Sequence, residues 1–239
     1  MLNIGIFSSL RDKEAYDLLY GILGAINSGY LPDVSISYVF CDRPEMIDGS
    51  LEEGLEEYHT KLFSSSSHGL RKFIFQNKGN ELALKQAREE FDRSVDEVIG
   101  SIEVDFVLLA GYMLIASPFL CGKLKMLNLH PDLPGRFVGT WQEVMQQIIE
   151  QGADTAGAMI NLATPELDKG PALAYFSFPV FDPDPEKIRA EEFRRELPLI
   201  LLTLKALAEG EIQFCEGMVW AGNKKGVRDF SREVENFTF

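Results

Sequence analysis

Three side chains in this 239-residue chain could together manage addition to a carbonyl. They are the amide of Asn128, the imidazole of His130 and the carboxylate of Asp168. An amide can donate to a developing oxyanion. A histidine can move a proton near neutral pH. A buried carboxylate can hold that histidine charged, or order a water beside it. Asn128 and His130 stand in Leu127-Asn128-Leu129-His130-Pro131, where strand alternation puts both on one face. Asp168 stands in Glu166-Leu167-Asp168-Lys169-Gly170-Pro171. Asn-x-His-Pro also fits a plain turn after a strand, because proline ends a ladder and asparagine suits turns. No Ser or Cys stands in a nucleophile elbow, and Ser117-Pro118 reads as a helix start.

The elements that must position these groups follow from periodicity. Asn3 to Phe7 is a short apolar strand, Ser8 to Lys13 a turn, and Glu14 to Asn27 a helix closed by Gly29. Val34 to Phe40 is β-branched and alternating, hence a second strand. This order opens a parallel α/β sheet, whose ligands bind at the carboxyl ends of strands. Asp42 to Ser67 reads as a solvated helix followed by a flexible loop, with His59 and His68 on the surface. Leu70 to Phe75 reads as a strand. Glu81 to Ile99 is a helix with Leu84, Ala87, Phe91, Val95 and Val98 inward. Asp105 to Ala110 is too apolar to alternate, as for a strand buried on both faces. Leu124 to Leu129 is the strand that delivers Asn128 and His130. Thr140 to Gln151 is a helix with Thr140 as cap, and Gly157 to Ala163 and Ala172 to Val180 are strands. Asp184-Pro185 starts a helix toward Arg195, Pro198 precedes a second helical run to Ala208, and Ile212 to Trp220 with the Gly222-Asn223 turn is a closing hairpin. The fold expected is one α/β domain over residues 1–239. It is a Rossmann-like, mostly parallel twisted sheet with helices on both faces and a C-terminal hairpin.

A net charge of −14 disfavours nucleic acid or an anionic membrane surface as partner. No apolar run is long enough to cross a bilayer, and Met1-Leu2-Asn3 leads straight into a strand without a signal-like start. A cytoplasmic setting is expected. Cys41, Cys121 and Cys215 stand singly, so neither a disulfide framework nor a metal site is expected.

A longer pattern surrounds the three candidates. It runs Ala110-Gly111-Tyr112-Met113, Ser117-Pro118, Asn128-x-His130-Pro131 and Glu166-Leu167-Asp168-x-Gly170-Pro171. It resembles the folate-dependent formyltransferases, and among them the phosphoribosylglycinamide formyltransferases of purine synthesis. The likeness is densest from about Val104 to Phe181.

The resemblance implies a division of labour: residues 1–103 on the acceptor and phosphate side, 104–181 for folate and catalysis, and 182–239 for C-terminal helices and hairpin. It implies 10-formyltetrahydrofolate as formyl-donor co-substrate and Asn128, His130 and Asp168 as catalytic residues. Tyr112, Met113, Leu114, Ile115 and Ala116 would line the pterin pocket, with Asn128 and the loop residues Thr164, Glu166, Leu167 and Asp168 also at the cofactor. Met113 and Ile115 also fit a plain core role. Arg88, in Arg88-Glu89-Glu90-Phe91-Asp92, matches a family arginine that lies near the folate, and equally fits a surface ion pair.

Three places depart from the family. Its glycine-rich phosphate turn is here Ser8-Ser9-Leu10-Arg11, whose hydroxyls, guanidinium and following helix N-terminus could still hold an anion. The loop after His130 reads Pro131-Asp132-Leu133-Pro134-Gly135-Arg136-Phe137-Val138-Gly139, where the family usually has Pro-Ser-Leu-Leu-Pro and then an aromatic-Pro-Gly. The family's amine-side glutamate aligns with Phe193, leaving Glu192 beside it as the acceptor-side carboxylate. The expected function is formyl transfer to the amine of a small, phosphorylated acceptor, glycinamide ribonucleotide first. An amino sugar or other small amine, water (a formyltetrahydrofolate deformylase) or a catalytically weak folate-binding module are the alternatives. A second copy of the chain is the one macromolecular partner left open.

Overall fold

A computed structural model describes residues 1–215 and 217–238. Its main sheet contains β1 (Leu2–Ser8), β2 (Val34–Cys41), β3 (Lys61–Ser64), β4 (Phe106–Leu109), β5 (Met126–His130), β6 (Thr155–Leu162) and β7 (Ala172–Pro179). A small sheet of β8 (Ile212–Cys215), β9 (Met218–Ala221) and β10 (Lys224–Lys225) follows, and β11 (Arg228–Asp229) returns to the main sheet. The main order is β11-β7-β6-β5-β4-β1-β2-β3. Strands β3, β2, β1, β4 and β5 run parallel, and β6 is antiparallel to both of its neighbours.

The sheet is buried on both faces because its central strands are mostly apolar, β4 at every position. On β1, Ile4 and Ile6 enter the larger core while Phe7 enters the second. On β4, Phe106 and Leu108 face one way, Val107 and Leu109 the other. Full burial of one such aliphatic side chain contributes about 1.5–3 kcal/mol. The larger core is closed by α1 (Lys13–Asn27), α2 (Gly49–Glu57), α6 (Trp141–Glu150), α7 (Pro185–Ala208) and α8 (Ser231–Glu235). The second packs under α4 (Glu81–Ile99) and α5 (Pro118–Lys123), and α3 (His68–Gln76) lies before α4.

Four local expectations are corrected. Leu70 to Phe75 is helical, inside α3, since Leu70, Phe73 and Ile74 recur at helical spacing. The stretch after α2 is no loop: Lys61–Ser64 pairs in parallel with β2 as the edge strand β3. The helix after Asp184 does not break at Pro198 but runs unbroken through α7. A helix-interior proline costs about 3 kcal/mol. Burial of Leu199, Ile200, Leu201 and Leu204 beyond it outweighs that cost. On α4, Ile99 and Asp92 are buried and Val98 is 38% exposed. Among the described residues no helix is long and apolar enough to cross a membrane.

Candidate active site

Asn128 and His130 occupy the carboxyl end of β5, alternating with Leu127 and Leu129, which pack on the larger core. Asp168 arrives from the loop between β6 and β7. That loop closes tightly, with Leu162 N–H donating to the Pro171 carbonyl at 3.0 Å. Gly170 passes so close to the Leu162 carbonyl that a Cβ would lie 1.7 Å from it. Asp168 itself has φ 56, the left-handed region, which aspartate tolerates better than most residues.

The three side chains meet. His130 Nδ1 lies 3.4 Å from Asp168 Oδ2, and both side chains are buried. Asn128 Nδ2 donates to Asp168 Oδ1 at 3.3 Å and to Asn161 Oδ1 at 3.2 Å. Asn161 is its direct partner across the β5–β6 ladder. Gly139 N–H donates to Asp168 Oδ2 at 3.2 Å. His130 Nε2 lies 2.9 Å from the Phe137 carbonyl. Both imidazole nitrogens thus face oxygen acceptors, and a proton on each satisfies both contacts.

Asn128, His130 and Asp168 line a cleft of about 380 Å³ at the carboxyl ends of β1, β4 and β5. Tyr112, Met113, Leu114, Ile115 and Leu167 line it too. Met113 and Ile115 are 42% and 37% exposed, so they do not fill core. Tyr112 instead puts its ring against Phe7 and Phe40, with centroids 5.4 and 6.5 Å away. Arg88 and Ala116 lie in a neighbouring hollow of about 250 Å³, joined to the cleft through Ile115. Thr164 and Glu166 turn to each other and to solvent. Thr164 Oγ1 donates to the Glu166 carbonyl at 2.8 Å, and Glu166 pairs with Lys169.

The turn after β1 is built differently from the expectation. Ser8, Ser9 and Leu10 are fully buried, and none lines the cleft. Ser8 Oγ accepts from Leu10 N–H at 3.2 Å. Ser9 Oγ accepts from Met113 N–H at 3.1 Å and from Arg71 Nη2 at 3.4 Å. Ser9 N–H donates to the Gly111 carbonyl. Without glycine, Leu10 takes the left-handed conformation at φ 46 and sends its side chain inward. The serine hydroxyls then serve backbone donors of the turn and of the Gly111–Met113 segment. Arg11 alone of the four reaches the cleft, where its Nη2 lies 2.9 Å from Asp12.

On α7, Glu192 is fully buried, lies outside the cleft lining, and has no hydrogen bond to either oxygen. Its nearest cation is Arg189, 3.5 Å away. Burial, then the neighbouring Glu196, push its carboxyl well above the ordinary range. The cleft wall is formed instead by Arg189 and Glu196. They are ion-paired, and Arg189 also holds Glu14 at 2.8 Å. Burial raises the Glu196 carboxyl as well, with Arg189 acting against it. Arg189 lies over the Trp141 and Phe193 rings. The sequence signal for this pair was their seven-residue spacing, two turns along one helix face.

A family model described as formyl transferase matches residues 19–198, well over half of the chain. The chain belongs to the formyl transferase family. This formyl transferase is 28% identical over 177 residues to the phosphoribosylglycinamide formyltransferase of Escherichia coli, covering 66% of this chain and 82% of that one. Its fold matches the phosphoribosylglycinamide formyltransferase of Coxiella burnetii, with TM-score 0.68, 18% identity and coverage of 95% and 98% of the two chains. It also matches a formyltetrahydrofolate deformylase from Pseudomonas syringae, with TM-score 0.67, 21% identity and coverage of 93% of this chain and 66% of that one.

Proposed function

We propose that this formyl transferase moves the formyl group of 10-formyltetrahydrofolate to the primary amine of a small acceptor, with glycinamide ribonucleotide as the acceptor that its relatives' names supply. The observation that carries the reading is the meeting of Asn128, His130 and Asp168 at one cleft. The folate would lie along Gly111–Ile115, where Met113 and Ile115 offer apolar surface and the backbone offers donors and acceptors. Ala116 and Arg88 would flank it from the adjoining hollow. Thr164, Glu166 and Leu167 would act through the loop that presents Asp168.

The amine attacks the formyl carbon and a tetrahedral intermediate forms. Asn128 Nδ2 gives up one of its two long contacts, to Asn161 or to Asp168, and with the His130 imidazolium stabilises the oxyanion, while the amine proton passes to the folate nitrogen through His130 or a water on Asp168. The Phe137 contact of His130 Nε2 is the tight one at 2.9 Å, whereas Nδ1 to Asp168 is 3.4 Å. We therefore assign Nδ1–H as the working donor, since loosely made contacts can tighten around a substrate. Residues 1–103 would serve the acceptor side and residues 104–181 the folate and chemistry.

One observation favours a second reading of the acceptor. Asp12, Glu14, Glu143, Asp168 and Glu196 line the cleft against only Arg11 and Arg189. Such a wall suits an amine without phosphate, for example an amino sugar. The test is direct. Purified chain is incubated with 10-formyltetrahydrofolate and either glycinamide ribonucleotide, an unphosphorylated amine or no acceptor. Formylated ribonucleotide supports the first reading, product with the amine alone supports the second, and formate without acceptor supports hydrolysis. No turnover with any of them sinks the enzymatic reading.

A further inference from the structure

The segment between β5 and α6 carries polar groups that this reaction scheme leaves unused. Asp132 is fully buried. Its Oδ1 accepts from Arg136 Nε at 2.8 Å and also from Arg136 Nη2. Its Oδ2 accepts from Phe137 N–H at 2.6 Å. Arg136 then donates from Nη1 to the Thr155 carbonyl at the start of β6, at 2.7 Å. Its guanidinium also lies over the Phe137 ring, 5.0 Å from the centroid. The loop is thereby tied to its own carboxylate and, through it, to the sheet. A buried carboxylate is costly unless its lone pairs are used, and both oxygens of this one are.

The far end of the loop is fixed as well. Thr140 and Glu143 form a capping box at α6. Gly139, at φ +122, sits where a Cβ would lie 2.5 Å from Glu143 Oε2. Between these two anchors, two backbone groups reach the candidate catalytic side chains. The Phe137 carbonyl faces His130 Nε2, and Gly139 N–H donates to Asp168.

Two acceptors therefore compete for the single proton of a neutral His130. The Phe137 carbonyl calls for it on Nε2, and the Asp168 carboxylate calls for it on Nδ1. The hydrogen bond made by one ring nitrogen decides the state of the other. If the loop slackened, the carboxylate would win, and the neutral ring would hold its proton on Nδ1, with no lone pair there to take the proton of the amine.

We propose that Asp132 and Arg136 are positioning residues, which hold loop 131–139 so that the Phe137 carbonyl keeps a proton on His130 Nε2 and leaves Nδ1 as the nitrogen that faces Asp168 and exchanges protons with the substrate. The catalytic consequence rests on the reaction proposed above. The placement of the proton does not.

The experiment is ¹⁵N NMR of the histidine side chains in the full chain, against pH, for the native protein, Asp132→Asn and Arg136→Gln. Arg136 is partly exposed, so its variant is the safer one should Asp132→Asn fail to fold. In the native protein, neutral His130 carries its proton on Nε2. In Arg136→Gln, the Nε2 proton exchanges with water at least about tenfold faster, as expected when a local contact opens more often. The pH limb of kcat moves in the same variant while KM for the folate stays within about twofold, the pattern of a group felt in the transition state rather than in binding. A neutral native His130 protonated on Nδ1 overturns the proposal. So do an unchanged exchange rate and an unchanged pH profile in both variants. Because NMR reads the proton without turnover, a native protein inactive with every acceptor would sink the reaction and leave this placement standing.

Discussion

His130 and Asp168 approach at 3.4 Å through Nδ1 and Oδ2, on a β5 end and a β6–β7 loop brought together by an antiparallel strand pair. The same carboxylate accepts from Asn128 and from Gly139 N–H. A single group therefore touches both the amide and the imidazole. Asp168→Asn keeps the size and removes the charge that favours imidazolium. The expected result is a fall in kcat of at least about a hundredfold, the usual span for a general acid or oxyanion partner. Rate–pH profiles of both proteins check this, and an unaltered profile in Asp168→Asn would remove Asp168 from the mechanism.

Arg11 is the one residue of the Ser8–Arg11 turn that reaches the cleft, and a phosphorylated acceptor would have to draw it from Asp12. Arg11→Ala should raise KM for glycinamide ribonucleotide about tenfold or more with kcat little changed, because remote binding is mostly uniform. Steady-state kinetics at varied acceptor concentration give the answer. An unchanged KM would point to an acceptor bound without Arg11, and so to the unphosphorylated amine.

Glu192 gives a stability prediction. Its folded-state pKa is raised by burial and by Glu196, so the folded state binds its proton more tightly than the unfolded one. The stabilisation is complete below the ordinary glutamate pKa and is lost as pH rises through the raised value. One such proton contributes a slope of at most about 1.4 kcal/mol per pH unit. Glu192→Gln mimics the protonated carboxyl and should flatten that slope and raise Tm near pH 8. Urea unfolding of both proteins at pH 5 and pH 8 tests it, and parallel slopes would contradict it.

Much of the candidate site's geometry was readable because its residues sit at strand ends with fixed periodicity. Asn128 and His130 share a face by simple alternation, and Gly111 to Ile115 follow a strand too apolar for anything but a central position. What could not be read depends on contacts across the chain. The hydroxyls of Ser8 and Ser9 look free in the sequence, yet they are taken by Leu10 and Met113 N–H groups. Glu192 looks like the acceptor-side carboxylate, yet the rotation of α7 buries it and presents Arg189 and Glu196. The continuation of α7 through Pro198 was equally unreadable, since local propensity disfavours it. Strand β3 was hidden for a similar reason, since Lys61–Ser64 is held by β2 rather than by its own composition.

The central claim is that His130 performs the transfer and that the cleft does more than bind folate. The most direct measurement is steady-state formyl transfer by His130→Ala, with folate affinity followed separately by fluorescence or calorimetry. Loss of one such donor costs about 3 kcal/mol of transition-state stabilisation, so kcat should fall at least about a hundredfold. Folate affinity should stay within about threefold, because the folate seat proposed above lies mainly along the 111–115 segment. Near-native turnover in His130→Ala with the true acceptor would contradict the account.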